Sequence, residues 1–528
     1  MLKVFATTSH PFDNGDVLGL KVAVKDFYRS LILNSKFEKI FFFLQSQYSD
    51  KIYLKQLEQQ LEIDKSRLKN VSFFSLEDLP IKLQKGEIDV IHCEDPKIDG
   101  LMQVCKSVVM QKKVVITGVT HSLNYGDDYL HFLNMLLLEP TGVESIVCTS
   151  FSAKKVLTKM FAQFSSMYPQ IKNSKPPVLS VVPLGISEKL FDKLNKNTCS
   201  KEPKKSIEII YLGRINSLVK ADLRPFFSVI KKLANEFSTI KYTIAGGVAN
   251  GQENELELLK REIISHDLQD VAGIIPNCSE EVKIELLNRA DIFFSPVDNF
   301  QETFGLSVIE AMASGLPIVC SNWGGYKDIV NDGENGYLLK TNAYELPEVD
   351  AHYAPSMSYL PFDFSQRIFV DLSDCYDKLK KIINDEGLRK KMSEKSRELS
   401  QKYLWNNIIK QYEELWNELH NREVKLNSES RSGISQAKIF EDYIYDYIKM
   451  DSSLKLISNN IKDIKLPMIH PFLKKLLNHS YLEEIIKKFL ENSLLSANDL
   501  MKDMKIQKDD LTFHLSYLLK YGVLKRNE

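Results

Sequence analysis

The stretch of sequence that decides the fold reads Ser295-Pro-Val-Asp-Asn-Phe-Gln-Glu-Thr-Phe-Gly-Leu-Ser-Val-Ile-Glu-Ala-Met-Ala-Ser-Gly-Leu-Pro-Ile-Val-Cys320. Its residue types, in order, are those of a strand end, a turn, a helix, a glycine and a second strand. Gly305 falls where the helix begins, and glycine lets a ligand approach the backbone closely. We therefore expect free amides and the positive end of the helix to face a cleft, where a phosphate fits.

Two glutamates in this stretch are candidate ligand-binding residues. Glu302 lies in the predicted turn, and Glu310 lies eight residues later on the predicted helix. One carboxylate suits the hydroxyl groups of a sugar, and the other suits the diol of a ribose. The alternative is structural, with Glu302 as a capping carboxylate and Glu310 as a solvated helix residue.

Taken as a whole, the stretch resembles the Glu-x7-Glu signature of glycosyltransferase family 4, and residues 310–319 and 325–338 also resemble that family. The resemblance implies a retaining glycosyltransferase of the GT-B type that uses a nucleotide-diphosphate sugar, with a UDP-sugar favoured, and that needs no other cofactor and no metal. It further implies that the first glutamate contacts the donor sugar, the next amides hold sugar and phosphate, and the second glutamate binds the ribose. Those roles fall on Glu302, on Thr303, Phe304, Gly305, Leu306 and Ser307, and on Glu310.

A second segment, Ile209-Ile-Tyr-Leu-Gly-Arg-Ile-Asn-Ser-Leu-Val-Lys220, resembles the diphosphate-binding loop of the same family. It ends a strand at Gly213 and Arg214. A guanidinium and an ammonium that face the leaving diphosphate neutralise the charge that grows as the glycosidic bond breaks. Many relatives place the lysine five residues after the arginine, whereas Lys220 follows Arg214 by six. The alternative is a pair of surface cations.

The first part of the chain carries fewer specific signals. The segment Val114-Val-Ile-Thr-Gly-Val-Thr-His121 resembles the strand of the family that ends in a histidine facing the donor sugar, so His121 joins Glu302, Arg214 and Lys220 as a candidate catalytic residue. The loop after the first strand contains Gly15 near the position where relatives carry adjacent glycines beside phosphate. A structural histidine and an ordinary turn are the alternatives at these two places.

Strand-sized runs alternate with helical patterns from residue 2 to about 185, and the same alternation begins again at residue 207. This pattern predicts an α/β protein with two doubly wound Rossmann-like domains that face each other across a cleft, and the family resemblance implies that this fold is of the GT-B class. The predicted organisation is an acceptor-side domain at 1–185, a donor domain at 186–400, a crossover helix at 401–421, a linker at 422–435 and an accessory domain at 436–528. The predicted strands are Lys3–Thr7, Lys39–Leu44, Val71–Phe74, Asp89–Cys93, Lys113–Val119, Ser145–Cys148, Leu179–Val182, Ile207–Leu212, Ile240–Ala245, Ala272–Ile275, Asp291–Ser295 and Pro317–Cys320. Residues 341–362 are interpreted as a loop insertion.

The last unit is mainly helical, with predicted helices at Tyr481–Leu490, Ser496–Met504 and Lys508–Tyr521, an order that resembles a winged helix. Residues 481–528 contain eight Lys and Arg and eight Asp and Glu, and Asp509 and Asp510 begin the third helix. Such a face is poorly suited to duplex DNA. We therefore expect no nucleic-acid partner and a role in docking or presenting the acceptor.

Composition limits the remaining possibilities. The chain balances 69 Lys and Arg against 70 Asp and Glu, so no large field of one sign directs it to nucleic acid or membrane. Its apolar runs are too short to span a bilayer, the N-terminus lacks the pattern of a signal peptide, and the seven cysteines form no Cys-x-x-Cys pair, so a cytoplasmic location is expected. The expected partner is a nucleotide sugar, and the acceptor is left open among peptide, carrier protein and glycan. A GT-B phosphorylase, a nucleotide-sugar epimerase and a non-catalytic binding scaffold are the rival functions.

Overall fold

The computed structural model describes residues 2–9, 19–45, 50–123, 128–195, 206–217, 220–249, 251–344, 365–424, 447–458 and 477–527, together with residues 464, 469 and 473. The chain divides into two compact units, Met1–Arg431 and Ser432–Glu528. Each unit is described by itself.

A seven-stranded parallel sheet forms the first half of the large unit, with the strand order β3-β2-β1-β4-β5-β6-β7. Its strands are β1 (Val4–Thr7), β2 (Lys39–Leu44), β3 (Val71–Ser75), β4 (Val90–Cys93), β5 (Val115–Val119), β6 (Glu144–Cys148) and β7 (Val178–Val181). In the register of the sheet, Phe5 of β1 lies opposite Ile40 of β2 and Val90 of β4. The strand order reverses between β1 and β4, which is where open α/β sheets of this kind form a crevice for ligands.

A six-stranded parallel sheet forms the second half, in the order β10-β9-β8-β11-β12-β13. Its strands are β8 (Ile207–Leu212), β9 (Ile240–Gly246), β10 (Ala272–Pro276), β11 (Ile292–Ser295), β12 (Ile318–Ser321) and β13 (Gly336–Leu339). The order reverses between β8 and β11, so this half has a crevice of its own. The strands of both sheets are rich in apolar residues, and every residue of β5 and of β11 is buried, as expected for parallel sheets covered on both faces.

Helices cover both sheets. They are α1 (Gly19–Asn34), α2 (Asp50–Gln60), α3 (Leu79–Gln84), α4 (Asp99–Ser107), α5 (Asp128–Leu137), α6 (Phe151–Met167), α7 (Glu188–Asn195), α8 (Phe227–Glu236), α9 (Glu253–Ser265), α10 (Glu280–Arg289), α11 (Leu306–Ala313), α12 (Tyr326–Ile329), α13 (Leu372–Asn384), α14 (Glu386–Ser400) and α15 (Trp405–Asn421). Short 3-10 helices lie at Lys65–Leu68, Leu76–Asp78, Pro169–Ile171, Arg224–Phe226 and Gln401–Tyr403.

The helix α15 follows the second half in the chain and packs against the first half. Trp416 is fully buried, and its ring centroid lies 5.4 Å from that of Phe5 in β1 and 5.6 Å from that of Phe37. Where the chain passes between the halves, the amide of Ile186 donates to the carbonyl of Tyr403 at 2.8 Å. The two passages of the chain therefore run side by side, and aromatic packing fixes α15 on the first sheet.

The described part of the small unit contains three helices, α16 (His479–Glu491), α17 (Ala497–Met504) and α18 (Lys508–Lys520), and an antiparallel pair of strands, β16 (Leu454–Leu456) and β17 (Leu524–Arg526). The side chains of these elements form an apolar core that is separate from those of the large unit. The three predicted helices are confirmed to within two residues. The resemblance to a winged helix stays a prediction.

The α/β fold with two doubly wound sheets is confirmed, and the twelve predicted strands lie within two residues of the observed ones. Two features differ. The strand β13 was not predicted, because it is short and opens on Gly336, where an added Cβ would lie 2.0 Å from the carbonyl oxygen of Ile318 on the neighbouring strand. In the segment interpreted as a loop insertion, Thr341–Ala343 forms a strand, β14, which pairs with β15 (Ile368–Val370), while residues 345–362 lie outside the described residues.

Candidate active site

The predicted donor residues gather at the crevice of the second sheet. Arg214 and Lys220 follow β8, and Glu302 lies in the segment between β11 and α11. Because β8 and β11 are the neighbours at which the strand order reverses, the segments after their carboxyl ends diverge and leave a crevice between them. The topology therefore brings together residues that are more than 80 positions apart in the sequence.

The end of β8 is tightly constrained. An added Cβ on Gly246, at the end of β9, would lie 1.6 Å from the carbonyl oxygen of Gly213, so no side chain fits between these strand ends. Directly afterwards, the guanidinium of Arg214 donates to the amide oxygen of Gln301 at 3.2 Å. The backbone carbonyl of Arg214 accepts a hydrogen bond from the hydroxyl of Tyr211 at 3.2 Å. Arg214 is thus held beside the segment that carries Glu302.

Lys220 and Glu302 form an ion pair with each other. Both side chains are mostly buried, with exposed fractions of 19% for Lys220 and 11% for Glu302. A lysine committed to a carboxylate is not free to meet a diphosphate, so Lys220 must exchange partners if a donor binds as the sequence predicts. The structure therefore shows the two predicted residues together, in a contact that the sequence did not predict.

The segment before α11 carries the predicted anion-binding amides. Gly305 has φ of 138°, and an added Cβ there would lie 2.6 Å from the ring of Tyr326, so both conformation and space require glycine. The amides of residues 303–307 donate no hydrogen bond to another described residue. The Phe304 side chain is buried, which leaves only its backbone for a ligand. The start of α11 therefore offers donors and the positive end of a helix.

The side chain of Thr303 contacts the first half of the large unit. Its hydroxyl donates to the carbonyl of His121 at 3.0 Å and lies 3.2 Å from the hydroxyl of Thr149. A little further along, the Ser152 hydroxyl donates to the carbonyl of Gly324 at 2.7 Å. These contacts join the two halves beside the crevice, so Thr303 has a joining role that the sequence analysis did not assign to it.

Glu310 is buried on α11, not solvated as the structural alternative supposed. Its carboxylate lies 2.8 Å from Nζ of Lys283 on α10, and its side chain is 6% exposed. Burial lowers the pKa of Lys283, but the charge and hydrogen bond of Glu310 outweigh that effect, and the pKa lies above its ordinary value. Glu310 is therefore held as an oriented acceptor, which suits the ribose role that the family resemblance implies.

His121 follows β5 at the facing edge of the first sheet and contacts a residue that sequence reasoning missed. Its Nε2 lies 3.3 Å from the carboxylate of Glu94, which follows β4. The other carboxylate oxygen of Glu94 lies 3.5 Å from Nε2 of His92, a separation longer than an ordinary hydrogen bond. Burial raises the pKa of Glu94, but the contacts with the two histidines outweigh it, and the pKa is below its ordinary value. A buried carboxylate therefore sits between two imidazole rings.

Behind Glu94, hydrogen bonds connect α15 to the ring of His92. The indole N–H of Trp416, which can only donate, donates to the hydroxyl of Thr117 at 3.1 Å. The Thr117 hydroxyl also lies within hydrogen-bond distance of Nδ1 of His92, at 2.8 Å. Among the described residues, Nε2 of His92 and the carboxylate oxygen of Glu94 that faces it are buried without a hydrogen-bond partner. Since a carboxylate only accepts, His121 donates to Glu94 through its own Nε2.

Asp298, between β11 and Glu302, is a further acid of the same segment. Its carboxylate accepts a hydrogen bond from the amide of Asp222 at 3.3 Å. Burial raises the pKa of Asp298 to about 7, and the neighbouring charge of Asp222 acts in the same direction. This carboxyl therefore changes its charge close to neutral pH.

Among the predicted residues, the structure brings Arg214, Lys220 and Glu302 together, places Leu306 and Ser307 at the start of α11, and joins His121 to the second half through Thr303. Gly15 lies outside the described residues. The residues that sequence reasoning missed are Glu94, Lys283 and Gln301. Of these, Glu94 could have been found, because it directly follows a predicted strand at the same edge of the sheet as His121.

Part of the chain is similar to known proteins. Residues 192–346, which contain the whole second crevice, match the family model described as glycosyl transferases group 1. A D-inositol 3-phosphate glycosyltransferase of Acidothermus cellulolyticus is 23% identical over 193 residues, which are 36% of this chain and 42% of that relative. The match thus spans less than half of the relative's length.

Solved structures share the fold of the large unit. A glycosyltransferase from Rickettsia africae matches with a TM-score of 0.54 at 13% identity, over 80% of this chain and all of the other. Anabaena Alr3699/HepE, solved in complex with UDP, matches with a TM-score of 0.51 at 13% identity, over 79% of this chain and all of the other. These likenesses show the two-domain GT-B fold. Across the described residues, no helix combines the length and apolar character needed to cross a membrane.

Proposed function

We propose that this protein is a retaining glycosyltransferase that moves a sugar from a nucleotide-diphosphate donor, with a UDP-sugar favoured, to a hydroxyl or other nucleophile of an acceptor. The observation that carries the proposal is the position of Arg214, Lys220 and Glu302 around one crevice, beside the amides that open α11 and donate to no other described residue. Two cations, a helix N-terminus and a carboxylate are the groups that a sugar diphosphate requires.

In the proposed complex the diphosphate lies between Arg214 and the start of α11, and it replaces Glu302 as the partner of Lys220. Glu302 is then released to accept hydrogen bonds from the hydroxyl groups of the donor sugar. Glu310, oriented by Lys283, accepts from the ribose diol. Negative charge that develops on the leaving diphosphate is stabilised by groups already in place, which is the main source of catalysis in such a site.

The first half contributes the facing wall. His121 lies on the edge of the first sheet, is held by Glu94 at 3.3 Å, and is joined through its carbonyl to Thr303 at the donor loop. This contact supports a role for His121 beside the donor sugar, where the acceptor also approaches. The usual proposal for such enzymes is front-side attack, with the departing phosphate helping to take the acceptor proton.

The C-terminal unit, residues 436–528, has no part in the donor chemistry in this proposal. It has a core of its own, and Asp509 and Asp510 lie in the first turn of α18, where they oppose the approach of a nucleic-acid phosphate. We propose that it docks the acceptor. A chain that ends at Arg431 should then release diphosphate from the donor as the full chain does, yet transfer less sugar to the acceptor.

The test of the proposed activity is a panel of UDP-, GDP- and ADP-sugars, with release of the nucleoside diphosphate measured in excess EDTA and with added Mg²⁺. We expect release from one class of donor, at similar rates in both conditions, because Arg214 and Lys220 take the place of a metal. Release that requires Mg²⁺ contradicts the metal-independent mechanism. If no donor releases its nucleoside diphosphate, the proposed enzymatic activity is contradicted.

A further inference from the structure

A second cavity lies at the carboxyl edge of the first sheet, next to the site described above. It has a volume of about 490 Å³, within the range of pockets that bind small molecules. It opens between the end of β1, the segment after β3 and the helices α3 and α4. Its lining residues are Thr8, Ser9, Leu76, Leu79, Pro80, Cys93, Asp95, Lys97, Gly100, Leu101 and Val104.

The cavity adjoins His121 through the backbone after β4. Cys93 and Asp95 line it, and Glu94, which contacts His121, lies between them in the chain. The hydroxyl of Ser9, another lining residue, accepts a hydrogen bond from the amide of Glu94 at 2.8 Å. A molecule in the cavity would therefore end beside the edge at which the proposed reaction takes place.

The walls of the cavity are apolar. Among the described lining residues, five are Leu, Val or Pro, and none is aromatic. Burial also raises the pKa of the Cys93 thiol to about 12, so this group stays uncharged. A sugar ring that entered would lose water from hydroxyl groups that the aliphatic wall cannot pair, and each unpaired hydroxyl costs binding free energy.

The positive charge at the polar end of the cavity is already compensated by neighbouring carboxylates. Lys97 is the one cation among the described lining residues, and its Nζ lies 3.4 Å from the carboxylate of Asp128 and 3.7 Å from that of Asp95. Two carboxylates around one ammonium leave no excess positive charge for a phosphate or a carboxylate. An anionic acceptor is therefore not favoured in this cavity.

We propose that this cavity binds the acceptor, and that the acceptor carries an uncharged apolar group next to its nucleophilic hydroxyl. The inference rests on the proposed function and names the acceptor class that this function leaves open. The apolar group fills the space between α3 and α4, and the hydroxyl lies at the polar end, toward Glu94 and His121. Either a free amphipathic alcohol or a hydroxyl residue beside an apolar side chain in a polypeptide would supply this chemistry.

Gly100 provides a variant that fills the cavity. It lies in α4, lines the cavity, and is exposed, and an added Cβ there meets nothing within 4 Å. Gly100→Phe should therefore place a ring in the cavity while the fold is kept. Gly273→Phe is the matched control, because Gly273 is exposed on β10 and an added Cβ there also meets nothing within 4 Å. Thermal unfolding of both variants verifies that they fold.

The first experiment measures binding of 1-butanol, 1-pentanol and 1-hexanol to the full chain by ligand-observed NMR, with no donor present. We expect the affinity to rise about fourfold per methylene, and we expect this rise in Gly273→Phe but not in Gly100→Phe. Equal affinities along the series, or equal binding by the two variants, would overturn the inference. Because no donor is used, this result does not depend on the proposed enzyme activity.

The second experiment adds the nucleotide sugar that the donor panel identifies and offers 1-hexanol, glucose, and serine peptides with Leu or Gly beside the serine. Transfer to hexanol or to the Leu peptide in preference to glucose supports the inference, and the preferred one of these two identifies the source of the apolar group. Preference for glucose overturns it. If no donor is turned over at all, the proposed function fails and with it the acceptor role, whereas the alcohol series still reports whether the cavity is an apolar site.

Discussion

Lys283 on α10 places its Nζ 2.8 Å from the carboxylate of Glu310 on α11, so the glutamate predicted to bind a ribose is paired and mostly buried. Replacing Lys283 with methionine leaves that carboxylate without its charged partner. Loss of one member of a buried pair costs roughly 3 kcal/mol. We expect Lys283→Met to lower the melting temperature and to weaken UDP binding. The control is Lys260→Met, which removes a lysine whose contact with Glu257 is exposed. Equal melting temperatures for the two variants would contradict the role of the pair.

The pair of Lys283 and Glu310 also shows which features of the structure can be predicted from the sequence and which cannot. The strands, the turn at Gly305 and the position of Glu302 follow from local patterns, because each depends on residues that are neighbours in the chain. The partners of the charged groups do not follow from such patterns. Lys283 meets Glu310, and Lys220 meets Glu302 over 82 positions, only because the order of the second sheet brings their segments together.

Side-chain orientation is the second feature that could not be predicted from the sequence. His121 was predicted from its place after a strand, but its hydrogen bond to Glu94 depends on how β4 and β5 pair in the sheet. Thr303 was predicted to bind the ligand through its backbone amide, which stays a prediction, and the bond of its hydroxyl to the first half was not predicted. Contacts between the two halves cannot be read from the pattern of either half alone.

Arg214→Ala should weaken binding of UDP by about 10- to 100-fold, the value of a charged hydrogen bond. The fold should be kept, because the guanidinium bonds to Gln301 at the crevice and not to the core. The measurement is calorimetric titration with UDP. Arg289→Ala is the matched control, since Arg289 is an arginine of the same half with a side chain that is 45% exposed. If both variants bind UDP like the wild type, Arg214 is not part of the donor site.

Glu94→Gln should lower turnover by about 10- to 100-fold, because it removes the charge that accepts from His121. Affinity for UDP should stay unchanged, since the nucleotide is bound by the second half. The variant should also change the nitrogen chemical shifts of the His121 ring, an effect that a loss of stability alone would not produce in a folded sample. Glu38→Gln, on the surface of the same half with a side chain that is 60% exposed, is the control. Unaltered His121 shifts would remove Glu94 from this role.

The stability of the protein should depend on Asp298 between about pH 4 and pH 7. Its pKa is raised from 3.8 to about 7 by burial, so the folded state holds a proton that the unfolded chain has already released. The contribution of protonated Asp298 to the stability of the folded state is present below pH 4 and is lost as the pH rises through 7. Asp298→Asn keeps an oxygen for the Asp222 amide but carries no charge. Denaturant unfolding at pH 5 and pH 8 measures the free energy of unfolding. Between these two pH values the free energy of unfolding should fall less for the variant than for the wild type, by on the order of 2 kcal/mol. Equal losses would contradict the raised pKa.

The central claim is that the crevice between β8 and β11 binds a donor sugar and that Glu302 acts on that sugar in the transition state. The most direct test compares the turnover number for the donor and the dissociation constant of UDP for the wild type and Glu302→Gln, with Glu281→Gln on the exposed start of α10 as control. We predict a fall in turnover of about 10²–10³-fold, with UDP bound at least as tightly, because Lys220 is released for the diphosphate. Turnover and UDP affinity that fall together, or turnover equal to that of the wild type, would contradict the account.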